Sequence, residues 1–83
     1  IAGDSAGGGL TMATLLALKA NAHPLPACAI GISPWLDLTG SGESAVPGVV
    51  DDPMLTLEGL RDSARQYAAD NTADPLASPI YGD

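Results

Sequence analysis

Ile1-Ala2-Gly3-Asp4-Ser5-Ala6-Gly7-Gly8-Gly9-Leu10 is the stretch on which the fold turns. Its first four residues read as the end of a β-strand, and a helix-forming run from Ala6 to Ala20 follows at once. Between them, Gly3-x-Ser5-x-Gly7 leaves a serine on a turn with no room for a loop. Such a turn strains the serine backbone and lifts its hydroxyl off the edge of a sheet, where a nucleophile has to stand. Gly3 and Gly7 read as positions kept bare because strand and helix crowd together there, with Asp4 between strand and serine. Ala6 presents its backbone N–H at the positive end of the helix, as a donor to a developing oxyanion. Gly8 and Gly9 are expensive in a helix, about 1 kcal/mol each relative to alanine, so a neighbouring element is expected to approach the first turn closely. Two other readings exist for the glycines: a merely flexible turn, or a phosphate cradle at a helix N-terminus. The cradle reading lacks both the Gly-Lys-Ser/Thr ending and the Gly-x-Gly-x-x-Gly spacing.

Outward from this turn, the helix carries Leu10, Met12, Ala13, Leu15, Leu16, Ala17 and Leu18 with no polar face, so burial on several sides is expected. Asn21 can close it, and Pro24 and Pro26 prevent its continuation. Ala27 to Ile32 is an apolar run without alternation, the mark of a parallel strand covered on both faces, and it stops at Ser33-Pro34. Cys28, inside that run, reads as an inert small hydrophobe. Strand, helix and strand in this order make a βαβ unit with a right-handed crossover, so the fold class is α/β with a mostly parallel sheet. Leu38 to Pro53, rich in Gly, Ser, Asp and Pro, reads as an irregular loop. Leu57, Leu60, Ala64, Tyr67 and Ala68 then recur at helical spacing behind Thr56 as N-cap. Glu58 with Arg61 and Asp62 with Arg65 stand one turn apart on it. Asp74 to Pro79 reads as a proline-bounded extended segment.

Bulk composition narrows the function classes. The chain has 83 residues, 46% of them apolar and 16% charged, which allows one domain at most. A chain this short buries little surface. The single cysteine rules out an internal disulfide, and no Cys/His cluster points to a metal. A net charge of −7 argues against nucleic acid or an anionic membrane as partner. No run has the length of a membrane span, and no charged n-region precedes an apolar one, so a cytoplasmic location is expected. Ile1 is apolar and leads straight into the turn. Residues 1–83 are therefore expected to be a partial domain, truncated at both ends.

Beyond the turn itself, three later blocks follow in a telling order: Ser33-Pro34-Trp35-Leu36-Asp37-Leu38-Thr39, then Gly42-Glu43-Ser44, then Asp74-Pro75-Leu76-Ala77-Ser78-Pro79. Together with Gly3 to Leu10 they resemble the hormone-sensitive-lipase family of α/β-hydrolase carboxylesterases across essentially the whole chain. The resemblance implies an α/β-hydrolase domain with a helical cap, no cofactor, and hydrolysis of short- to medium-chain carboxylic esters. It makes Ser5 the nucleophile that forms an acyl-enzyme, Ala6 an oxyanion donor, and Gly3, Asp4 and Gly7 the elbow around them. It places a His-Gly-Gly loop before Ile1, and the acid and histidine of the triad after Asp83, so the 83 residues alone are expected to be inactive. The implied partner is a small-molecule ester, and the oligomeric state stays open. The alternative is a non-catalytic protein of the same fold that binds a small ligand in the same pocket.

Other candidates weigh less. His23 is the only histidine, yet a helix separates it from Ser5 by about 25 Å at 1.5 Å per residue, outside the reach of a general base. Asp37 follows the second strand, where some α/β-hydrolases place their acid; the resembled family places it later, and a loop-anchoring aspartate is the plainer reading. Asp4 is expected to point away from the site as a structural hydrogen-bonding partner. Asp51, Asp52, Asp74 and Asp83 are explained by turn chemistry. Trp35 lines an acyl or alcohol pocket or packs under the cap, and Met54 and Tyr67 read as core or interface residues.

Overall fold

A computed structural model describes residues 1–83. Strand β1 (Ala2–Asp4) runs directly into helix α1 (Ser5–Ala20), which returns the chain to strand β2 (Ile30–Ile32). A long irregular segment with one short 3₁₀ turn (Glu43–Ala45) leads to helix α2 (Leu57–Ala68), and a second 3₁₀ turn (Pro79–Tyr81) follows. β1 and β2 pair in parallel with Ala2 opposite Ile30, Gly3 opposite Gly31 and Asp4 opposite Ile32. The expected βαβ unit is thus present, and its first helix begins at Ser5, one residue ahead of the expected start.

β2 is half the length of the apolar run that announced it. Strand geometry is confined to Ile30–Ile32; Ile30 N–H donates to the Ile1 carbonyl at 3.0 Å, and the Ile1 amine donates to the Cys28 carbonyl at 3.2 Å. Cys28 consequently precedes the strand and is exposed, not buried within it. Covering of β2 is one-sided among these residues. Gly31 faces α1, where an added Cβ would meet Met12 Cε and Pro34 Cγ at 3.2 Å. Alternation turns Ile30 and Ile32 to the other face, where they are 56% and 63% exposed.

α1 buries Gly8, Gly9, Thr11 and Ala13, which spread over about half of its circumference, while Leu10 stays exposed, so the burial on several sides expected of so apolar a helix is reached in part. Asn21 closes it as expected, its Nδ2 donating to the Ala17 carbonyl at 2.8 Å. In α2, Thr56 Oγ1 accepts from Gly59 N–H at 3.1 Å, one of the donors a helix start leaves open. Arg65 approaches Asp62 at 3.5 Å on an exposed surface, a pair that contributes only tenths of a kcal/mol, roughly. Glu58 and Arg61 form no such pair. Met54 and Tyr67 are exposed and belong to no core within these residues.

The buried hydrophobic residues are Ala13 of α1, Leu38 after β2 and Ala64 of α2, so the core sits where those three segments meet. Asp74 to Pro79 closes it from below as a turn, not as the extended segment its prolines suggested. Asp74 Oδ1 accepts from Leu76 N–H, and its carbonyl accepts from Ala77 and Ser78 N–H. An aspartate followed by proline starts a turn by these bonds. No helix is long and apolar enough to cross a membrane.

Candidate active site

Ser5 is the first residue of α1 and follows β1 with no intervening loop. Its φ is +49°, a left-handed conformation that a residue with a Cβ seldom adopts. Ser5 and Ala6 are both exposed. Ala6 is the second residue of α1, so its N–H is among the donors the helix leaves unpaired.

The glycines around the turn answer to different neighbours. A Cβ on Gly3 would run into the Gly7 carbonyl and lie 2.6 Å from Thr11 Oγ1. Thr11 is buried and donates to that same Gly7 carbonyl at 2.9 Å. Gly3 is therefore bare because strand and helix crowd, as expected. Gly7 is not: an added Cβ there meets nothing within 4 Å, and it is the Gly7 carbonyl that presses on Gly3. The close approach foreseen for Gly8 and Gly9 comes from the segment after β2. A Cβ on Gly8 would lie 2.7 Å from Pro34 Cβ, and one on Gly9 would overlap the Trp35 carbonyl oxygen. Trp35 N–H donates to the Ser5 carbonyl at 2.8 Å.

Sequence reading missed the partner turn. Asp4 pairs with Ile32, so Ser5 and Ser33 leave the sheet side by side, and Ser33 has a φ of +43°. A residue before proline is normally held in the extended region, so Ser33-Pro34 signalled the opposite. Two strained serines thus stand at the carboxyl edge of adjacent parallel strands, the edge at which open α/β sheets collect their ligands.

Asp4 departs from its expected role. It occupies the position before the helix, but its side chain caps nothing and is exposed. Asp37, by contrast, has both carboxylate oxygens engaged. Oδ1 accepts from Thr39 N–H at 2.9 Å and from the Thr39 hydroxyl, and Oδ2 accepts from Ser41 N–H at 3.0 Å and Ser41 Oγ at 2.6 Å. This is the loop-anchoring aspartate of the plainer reading. Burial alone raises its pKa, but the hydrogen bonds from Ser41 and Thr39 outweigh burial and hold it at about 2 against an ordinary 3.8. A depressed carboxylate stabilises the fold above its unfolded pKa and loses that contribution as the pH falls through the folded one. The stability gap between the complete protein and its Asp37→Asn variant is therefore expected to shrink between about pH 5 and about pH 2.5, measured by denaturant midpoints. A constant gap would contradict the assignment. Asp52 is held low by the N–H groups of Leu55 and Met54, which is turn chemistry.

His23 lies in the exposed connection beyond the far end of the 16-residue α1, its N–H on the Leu18 carbonyl. Trp35 lines an apolar cavity of about 350 Å³ together with Ala6, Leu10, Ala13, Tyr67 and Leu76. A larger hollow of about 470 Å³ runs between Met12, Leu16, Cys28 and Ile80 and contains none of the turn residues. Ser78 also escaped sequence reading. It is fully buried, accepts from Leu38 N–H at 2.7 Å and donates to the Thr72 carbonyl. No local pattern marks such a residue, because one of its partners, Leu38, is brought to it only by the tertiary path.

A strand, a strained serine turn and a helix, clamped from the turn after the parallel neighbour, define a segment of an α/β-hydrolase fold. The family model for the alpha/beta hydrolase fold matches residues 1–83. An acetyl-hydrolase of Streptomyces hygroscopicus is 45% identical over 84 residues, covering 100% of this chain and 28% of that protein. An esterase of Acinetobacter venetianus is 36% identical over 85 residues, with the same coverages of 100% and 28%. Among solved structures, an esterase from the bacterial hormone-sensitive lipase family superposes with a TM-score of 0.87 at 43% identity, over 96% of this chain and 27% of that one. The chain belongs to the hormone-sensitive-lipase family of α/β-hydrolase esterases. It spans about 28% of the length of the curated relatives it matches.

Proposed function

We propose that residues 1–83 are the central part of the catalytic domain of a serine carboxylic-ester hydrolase, with Ser5 as nucleophile and the Ala6 N–H as one oxyanion donor. The observation that carries this reading is the left-handed Ser5 at a loop-free strand-to-helix junction, held through its carbonyl by Trp35 N–H. Ser5 Oγ attacks the carbonyl carbon of a small carboxylic ester as its proton passes to a base. The carbonyl oxygen takes up negative charge beside the Ala6 N–H at the positive end of α1. Collapse of that intermediate breaks the bond to the alcohol, which leaves with the proton, and water then releases the acid from the acyl-enzyme. The base and its acid belong to other parts of the complete enzyme, because His23 is a helix length away and both Asp37 oxygens are already engaged. The apolar cavity beside Ala6 suits a short to medium acyl chain.

A fluorophosphonate probe tests the proposal on the complete protein. Covalent modification of Ser5, located by peptide mass, is the expected result, and prior treatment with an ester substrate slows it. A folded protein whose Ser5 stays unmodified would instead fit the non-catalytic ligand-binding reading.

A further inference from the structure

A strained backbone persists only where its surroundings over-determine it, and for Ser5 much of that constraint arrives from the segment after β2. Trp35 N–H binds the Ser5 carbonyl, the Trp35 carbonyl rests against Gly9, and Pro34 rests against Gly8. Residues 35–38 belong to no helix or strand, so something other than a ladder must keep them there. Trp35 Nε1 donates to the Asp37 carbonyl at 3.0 Å, and the Asp37 carboxylate then gathers the Thr39 and Ser41 N–H and hydroxyl groups. Tyr81 OH closes the cluster, 3.0 Å from Thr39 Oγ1 and 3.1 Å from Ser41 Oγ. Ile80 N–H donates to the Leu36 carbonyl at 3.2 Å and Ser78 Oγ accepts from Leu38 N–H, so residues 78–80 pin the segment at two further points.

We infer that Asp37 is a positioning residue for Ser5: by folding the loop from Thr39 to Ser41 onto itself and against Tyr81, it fixes the Trp35 N–H that holds the Ser5 carbonyl. The inference rests on Ser5 being the nucleophile. A carboxylate suits the task because both of its oxygens accept, one for each donor pair. An asparagine of the same size turns an NH₂ toward one of those pairs, donor against donor.

The test compares the complete enzyme with its Asp37→Asn and Tyr81→Phe variants. Three quantities are read: the rate constant for phosphonylation of Ser5 per folded molecule, kcat and KM for a p-nitrophenyl ester, and the pH–rate profile. For Asp37→Asn, phosphonylation and kcat are expected to fall together by about tenfold with KM within about twofold, as misplacement of a reacting group produces. The pH profile is expected to keep its shape, because no proton passes through Asp37. Tyr81→Phe, which loses one hydroxyl, shifts the same quantities in the same direction by less. If Asp37→Asn does not fold, Ser41→Ala replaces it, with the same readouts. Wild-type rate constants per folded molecule, beside a lowered melting temperature alone, would make Asp37 merely structural and overturn the inference. A loss beyond about a thousandfold with a displaced pH profile would overturn it as well, by making Asp37 a partner of the base. Absence of labelling in the wild type is a separate outcome that defeats the proposed function itself.

Discussion

Ser5→Ala is expected to lower kcat for ester hydrolysis in the complete enzyme by about 10⁴-fold or more while leaving the protein folded. The loss is large because no other group can form the acyl-enzyme, and what remains is water attack helped by the oxyanion donors and by binding. Stability should hardly move. The Ser5 side chain is exposed among residues 1–83, so its removal opens no cavity among them. The left-handed φ of +49° is equally strained for alanine as for serine, so the turn gains no relief either. A change within about 0.5 kcal/mol is the ordinary result for such a site. Hydrolysis of a p-nitrophenyl ester and a thermal melt on the same sample measure both halves of the expectation. Turnover within tenfold of wild type would place the nucleophile elsewhere.

The fold around Ser5 was legible in the sequence because its determinants are local. Gly3-x-Ser5-x-Gly7 between a strand end and a helical run fixed the junction, and the surplus glycines Gly8 and Gly9 announced a close neighbour. The neighbour itself was not legible. Ser33, Pro34 and Trp35 lie in an irregular stretch without periodicity, and proline at 34 argued for extended backbone where the chain turns left-handed. Similar limits apply to Ser78 and Tyr81, whose partners Leu38, Thr39 and Ser41 lie about forty positions away in sequence. A hydrogen bond closed across that span leaves no trace in local composition. Asp37 shows the middle case: its place at the carboxyl edge made it a candidate for chemistry, and only the positions of Thr39 and Ser41 reveal its oxygens as occupied. Cys28 departs in the other direction: an apolar run marks what a strand can contain, but Cys28 precedes the strand that forms and is exposed.

Gly9→Ala separates the two contributions that meet at the elbow. Within a helix, alanine in place of glycine is favourable by about 1 kcal/mol, so propensity alone predicts a more stable protein. Against it stands the overlap of the new Cβ with the Trp35 carbonyl oxygen. Neither partner is a flexible side chain that can swing aside. One atom is fixed to the α1 backbone and the other is backbone itself, so the helix and the turn after β2 must separate. Overpacking of this kind costs about 3 kcal/mol at its upper end, which leaves a net destabilisation of about 2 kcal/mol. The effect on activity is expected to be larger than the effect on stability. Moving the Trp35 carbonyl away from Gly9 also draws the Trp35 N–H off the Ser5 carbonyl, 2.8 Å away in the intact turn. A displacement near 1 Å at a nucleophile lowers the rate by about a hundredfold, so kcat should fall by that order in molecules that remain folded. Stopped-flow phosphonylation together with a denaturant melt reads both. A Gly9→Ala enzyme that melts higher than wild type and keeps its kcat would show that helix propensity wins, and that Ser5 holds its conformation without the turn beside it.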